Sequence, residues 1–211
     1  MKNIAIWVGV ALVIVLLMVG LAYMGNKQAN PEPLVLSMPI GPEDMANGAQ
    51  GAKAVLVEYG DFQCPACAQY FVILEQVMKD YGYRAQFVFR HFPLRSIHSN
   101  AQLASQAAQS AGEQGKFWEY YRLLYANQAS WSSLSDPTDT FKGYAGDLQL
   151  DIEKFSLDLK SDLIVARVQR DVDSGNTSKV NSTPTFFLNG KQVSGAPTAE
   201  GFKQMIDEAL K

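Results

Sequence analysis

The 211 residues of this chain contain two cysteines, and only Pro65 and Ala66 separate them, in Cys64-Pro65-Ala66-Cys67. The residues before the pair, Ala54 to Val57, form an apolar, β-branched run that reads as a buried strand. The residues after it, as far as Tyr81, set Phe71, Leu74, Val77, Met78 and Tyr81 along one face of a helix. Strand, short loop, then cysteine at a helix start is a setting that makes a thiol reactive. The first-turn amides have no partners of their own and face the sulfur, and the helix dipole favours its anionic form. Pro65 suits the first turn, where its missing donor would have had nothing to bond. A thiol so placed can fall from about 8.5 into the range of about 3.5 to 7.5, which leaves it largely thiolate near neutral pH.

A metal centre built on the same pair would need two further ligands. The only histidines, His91 and His98, stand at spacings that match no common zinc pattern, and a c-type haem would need histidine where Ala68 stands. No metal and no separate cofactor is expected: the reactive group would be the Cys64–Cys67 disulfide itself. The alternative of another class is a metal-binding protein that uses both cysteines as thiolate ligands. Its signature would be extra Met, His or Cys near the motif, and Asp61 to Tyr70 carries none beyond the pair.

The net charge of −3 supplies no basic footprint, so no nucleic-acid partner is expected. Ile4 to Tyr23 runs without a charge and would measure about 30 Å as a helix, enough to cross a bilayer. Trp7 and Tyr23 lie near its ends, where amphipathic rings favour the interface. Residues 1–25 therefore read as an uncleaved N-terminal anchor; a cleaved signal peptide, cut near Gly20-Leu21-Ala22, is the competing reading. Either way the rest of the chain is expected outside the cytoplasm, on the periplasmic or extracellular face of a single-pass membrane protein. There, an exchangeable pair with no other cysteine to protect acts on the thiols of other proteins.

Residues 26–53 read as linker and lead-in, broken by prolines and glycines, with Leu34-Val35-Leu36 able to form a short edge strand. Arg84 to Phe89 alternates as a second strand. Helical patterns then follow one another over Ala101–Ala111, Lys116–Asn127, Thr138–Gly146, Asp151–Leu159 and Asp162–Ser174. Thr185–Leu188, the Asn189-Gly190 turn and Lys191–Val193 make a hairpin. Thr198 caps a last helix that ends near Leu210. The order is β-α-β, a helical block, then β-β-α. The fold class is α/β, with residues 54–96 and 179–211 in one sheet domain and residues 97–178 inserted as helices.

This order resembles the thioredoxin fold with an inserted helical domain, as in the DsbA-like thiol–disulfide oxidoreductases. The resemblance rests on Val57 to Cys67, on Gly115-Lys116-Phe117-Trp118-Glu119, and on Ser182 to Gly190; the anchored layout looks most like the membrane-tethered members. Met45 to Lys53 departs from the pattern by being longer and looser. The resemblance implies that Cys64 is the exposed nucleophile and Cys67 the resolving thiol. It implies that Glu58 is a buried acid relaying protons to Cys67, and that Thr183-Pro184 is a cis-proline loop opposite the cysteines. Thr183, Pro184, Pro65 and Ala66 would then meet the substrate. The implied activity is donation of the Cys64–Cys67 disulfide to reduced or unfolded secreted or membrane proteins, by a monomer that a membrane-bound partner reoxidises. A reductase or isomerase of the same fold is the alternative within the class. His91 and His98 read as structural or surface residues. Phe117, Trp118, Tyr120, Tyr121, Leu124 and Tyr125 read as core.

Overall fold

The strand that leads to the cysteines occupies the middle of the molecule. In the computed structural model, which describes residues 12–21, 33–195 and 197–211, five strands form one sheet in the order β1-β3-β2-β4-β5. They are β1 (Met45–Gly48), β2 (Ala54–Gly60), β3 (Ala85–His91), β4 (Thr185–Leu188) and β5 (Lys191–Gln192). β2 pairs parallel with β3 and antiparallel with β4, so only Val55 of its seven residues escapes full burial. Burial on both faces is why β2 reads as a continuous apolar run rather than an alternating one. The parallel β2–β3 pair needs a crossover, and α1 (Pro65–Tyr81) supplies it.

Leu74, Val77 and Met78 of α1 pack on one sheet face with Phe186 and with Phe202 and Ile206 of the last helix. That helix, α8 (Ala199–Ala209), starts where expected: Thr198 Oγ1 accepts from the Gly201 amide at 3.2 Å. The helical block comprises α2 (Ala101–Gly112), α3 (Phe117–Ala126), α4 (Gln128–Trp131), α5 (Thr138–Asp147), α6 (Ile152–Asp158) and α7 (Asp162–Thr177). α7 closes on the other sheet face, where Val57, Tyr59, Phe92 and Phe187 form the core. A side chain at Gly175 would begin 2.6 Å from the Phe92 ring, so glycine sets how closely α7 can lie. The core of the block, with Tyr120, Leu124, Trp131, Phe141 and Phe155, is continuous with Phe62, Cys67 and Phe89. The inserted helices thus share their core with the loop that carries the cysteines.

Two elements were not foreseen. β1 has the sequence MANG and no apolar period, yet it pairs with β3 from Met45↔Phe89 to Gly48↔Gln86. α4 is four residues long, too short to show a helical period. The lead-in is also tied down. Val35 bridges Lys191, as the short edge strand at Leu34-Val35-Leu36 anticipated. Farther along, Arg90 is fully buried and all of its guanidinium nitrogens are used. Nε and Nη2 bond the Asp44 carboxylate at 2.9 and 3.0 Å, Nη1 reaches the Met38 carbonyl and the Tyr59 hydroxyl, and Nη2 the Pro39 carbonyl. Burial pushes the Asp44 carboxyl up, but Arg90, the Gly41 amide and the charge of Arg170 together outweigh that and hold it below its usual range. Residues 33–211 form one compact unit, so the fold takes in most of what reads in sequence as linker.

Residues 12–21 form a helix whose residues are all exposed. Among the described residues no helix is long and apolar enough to cross a membrane. The rest of the Ile4–Tyr23 span expected as an anchor lies outside the described residues.

Candidate active site

β2 ends at Gly60, and the ladder needs glycine there: a Cβ would sit 2.4 Å from the Phe89 ring and 3.1 Å from Glu58 Oε1. The loop that follows is fastened by Asp61, which is fully buried. Its Oδ1 accepts from the Gln63 amide at 2.7 Å, and its Oδ2 accepts from the Leu94 amide at 2.9 Å and lies 2.6 Å from His98 Nδ1. Its carbonyl accepts from the Cys64 amide at 3.1 Å. Cys64 then caps α1 in an extended conformation, with Pro65 at the start of the helix. Pro65 and Ala66 are exposed and Cys67 is inaccessible; Cys64, expected as the exposed nucleophile, is itself buried at 7% exposure, because it borders the apolar cluster around Phe62.

Thr183 stands across from the pair. The Thr183–Pro184 bond is cis, and the Cys64 thiol donates to the Thr183 carbonyl at 3.4 Å. Thr183 Oγ1 is buried without a partner, so it is available to donate once Cys64 is a thiolate. The Cys64 thiol is lowered to about 5. The Cys67 thiol contributes most as a hydrogen-bond donor, burial opposes it, and Thr183 and the amides of Cys67 and Ala66 add to it. Cys67 goes the other way: burial pushes its thiol well above the ordinary value, and Cys64 and Glu58 push it further. Glu58 is raised to about 8, first by burial and then by the charge of Cys64, against a hydrogen bond from Tyr121. Its Oε1 has no partner.

The structure therefore brings Glu58, Cys64, Pro65, Ala66, Cys67, Thr183 and Pro184 to one place. A cleft of about 350 Å³ opens beside them, lined by Tyr70, Ser182, Pro184, Gln192 and Ser194 among others. A larger cavity, about 570 Å³, lies against Glu43, Arg167 and Arg170 and contains none of these residues. His91 is fully buried, and burial lowers it to about 3, so it is neutral and structural. Sequence reading missed Tyr121 as a partner of Glu58, Asp61 as the loop fastener, and Gln63, Asn100 and Gln128 as braces. Asp61 and Gln63 adjoin the motif and could have been suspected. Tyr121 and Gln128 lie more than fifty residues away and carry no local signal. Chemically, the site presents a sulfur with stabilised negative charge, 7% exposed behind the exposed Pro65 and Ala66, next to a sulfur that resists ionisation and a carboxyl able to carry a proton.

Residues 41–208 match the sequence profile of the thioredoxin family, and the chain belongs to that family. Among curated proteins, it is 37% identical over 176 residues to the Na(+)/H(+) antiporter NhaA 1 of Salinispora arenicola. That match takes in 83% of this chain and 26% of the antiporter, so the chain spans about a quarter of the length of that relative. Among solved structures it is similar to oxidised BdbD from Bacillus subtilis, with a TM-score of 0.73 and 21% identity over 84% of this chain and 98% of that one. It is also similar to α-DsbA1 of Wolbachia pipientis, with a TM-score of 0.71 and 21% identity over 83% and 94%. At that identity the two structures establish the fold: thioredoxin-like, with inserted helices.

Proposed function

We propose that the chain is an extracytoplasmic, membrane-tethered thiol–disulfide oxidoreductase that donates its Cys64–Cys67 disulfide to reduced secreted or membrane proteins. The observation that carries this reading is the opposed treatment of the two sulfurs, Cys64 lowered to about 5 and Cys67 raised. A substrate thiolate attacks Cys64 Sγ, the Sγ–Sγ bond breaks, and Cys67 leaves. Because Cys67 resists carrying charge, it leaves best with a proton, and Glu58, whose burial raises it above the ordinary carboxylate range, can supply one. The substrate's second thiolate attacks its own half of the mixed disulfide, and Cys64 leaves as the stabilised thiolate. The substrate loses two electrons and the enzyme gains them. A membrane-bound oxidant would take them on. The cleft beside Pro184 would receive the substrate backbone next to Thr183, like an added strand. The placement is supported by the uncharged run Ile4–Tyr23 and by relatives in which the matched region is part of a longer protein named as an antiporter.

The test is the reduction potential of the Cys64–Cys67 couple in glutathione buffers, read by alkylation. A value well above about −200 mV fits an oxidase, and a value near about −270 mV makes the protein a reductase. Failure to form the disulfide ends the redox reading in favour of a metal site.

A further inference from the structure

The helical insert holds the nucleophile's loop through a small set of side-chain amides. α4 begins at Gln128, whose Nε2 donates to the Phe62 carbonyl at 2.7 Å and to the Cys64 carbonyl at 3.0 Å. Both hydrogens of one amide are thus spent on the two carbonyls that flank Gln63. A second brace lies alongside: Gln63 Nε2 donates to the Ser132 carbonyl at 2.8 Å, and Gln63 Oε1 accepts from the Asn100 amide at 2.7 Å. Asn100 Nδ2 in turn donates to the Leu134 carbonyl at 2.8 Å.

The Cys64 carbonyl matters because it belongs to the Cys64–Pro65 peptide, which has no N–H. Its carbonyl is the only hydrogen-bonding handle on that peptide plane. It accepts from the Ala68 amide at 3.2 Å, the first bond of α1, and from Gln128; no other side chain among the described residues holds it. The plane of that peptide fixes how the amides of Ala66 and Cys67 face Sγ. Both carbonyl oxygens are also negative ends of dipoles within two residues of a sulfur that is to carry negative charge, and an amide bonded to both offsets them where Cys64 is only 7% exposed.

We propose that Gln128 is a positioning residue for Cys64: by clamping the Phe62 and Cys64 carbonyls, the helical insert sets the thiolate character, and so the oxidising strength, of the nucleophile. This deepens the oxidoreductase reading, but its measurement needs no substrate.

The test uses the full chain and Gln128→Met, which keeps the side chain's length and removes both donors. Thiolate absorbance is followed against pH. Cys67 and Glu58 are the other titrating groups that face Cys64, and both ionise above it, so a scan from about pH 3 to 7 reports Cys64. The expected result is a rise of about half a unit, a threefold loss of thiolate preference. The glutathione equilibrium should move threefold toward the enzyme disulfide, about 14 mV by the two-electron relation. A variant that melts earlier but titrates at the wild-type midpoint makes Gln128 a mere brace and overturns the proposal. Should Gln128→Met fail to fold, the unaltered protein decides: the Gln128 side-chain amide resonances should shift with the Cys64 midpoint, and resonances flat across it overturn the proposal. Failure of the oxidoreductase reading looks different, because then no stable Cys64–Cys67 disulfide forms in either protein.

Discussion

The two sides of the first turn of α1 receive the same helix and opposite chemistry. Cys64 and Cys67 share one set of free amides and one dipole, yet one thiol is lowered to about 5 and the other is driven up. The dipole therefore does not choose between them. On the outer side, Cys64 meets donors: the Cys67 thiol, Thr183 and two backbone amides. Both sulfurs belong to the apolar cluster of Phe62, Tyr121 and Tyr125, but on the inner side Cys67 is wholly inaccessible, and the acid nearby is itself reluctant to ionise. A reactive pair is made by placing a single turn across the boundary between these surroundings.

Removing either sulfur is the harshest way to break this comparison. Cys64→Ser should reduce oxidation of a reduced test protein to background, because Cys67 is beyond a substrate's reach. Cys67→Ala should leave a sulfur that joins substrate but has no internal partner, so mixed disulfides persist on a non-reducing gel. Equal accumulation of mixed disulfides in both variants would mean that the two sides are not distinct.

Replacing Glu58 acts chiefly on the inner side, reaching Cys64 only through the charge the two groups share. Its carboxyl is raised from 4.5 to about 8, chiefly by burial. Between those values the folded protein keeps a proton that the unfolded chain has released, so folding loses stability as pH rises through that window, by up to about 1.4 kcal/mol per unit, and no further above it. Glu58→Gln removes the slope. Measured on the disulfide form, where neither thiol titrates and burial acts on Glu58 without the Cys64 charge, the variant should be similar to or weaker than the parent near pH 5 and more stable by about 1–3 kcal/mol near pH 8.5. The rate of Cys67 departure should also lose its dependence on pH near 8. Parallel stability profiles for parent and variant would place the raised carboxyl elsewhere.

What the sequence makes legible follows the same division. The strand before Cys64, the helix after it, the Thr185–Leu188 hairpin strand and the Thr198 cap are local patterns, and they appear where periodicity and turn chemistry put them. β1 is not local: MANG becomes a strand because β3 offers it an edge and because Arg90 anchors Asp44 just before it. At the site, the cysteines announce themselves by spacing, and Glu58, Thr183 and Pro184 through family resemblance. The residues that tune them, Tyr121 and Gln128, come from a helix that reads only as amphipathic core and from a four-residue one that falls between the expected helices. Nothing in a one-dimensional pattern says which core tyrosine will find an acid. The helical insert is legible as a block, and its work at the active site is not.

The mildest change sharpens the comparison from the inner side alone. Tyr121 is 1% exposed, packed edge-to-face against Phe62, Phe71, Phe89 and Tyr125, and its own hydroxyl is pushed far above its ordinary value by burial, so it remains a donor across the working range. Its hydrogen bond is the one influence that lowers Glu58 against burial and the charge of Cys64. Tyr121→Phe keeps the ring and removes the donor. Glu58 should then titrate higher by a few tenths of a unit, and stability should fall by about 0.5–1.5 kcal/mol. The Cys64 midpoint, set by donors on the outer side, should move far less. Infrared titration of the Glu58 carboxyl together with thiolate absorbance reads both sides in one sample. If the two midpoints rise equally, Tyr121 acts on the whole turn, and inner and outer surroundings are coupled more tightly than their separate partners imply.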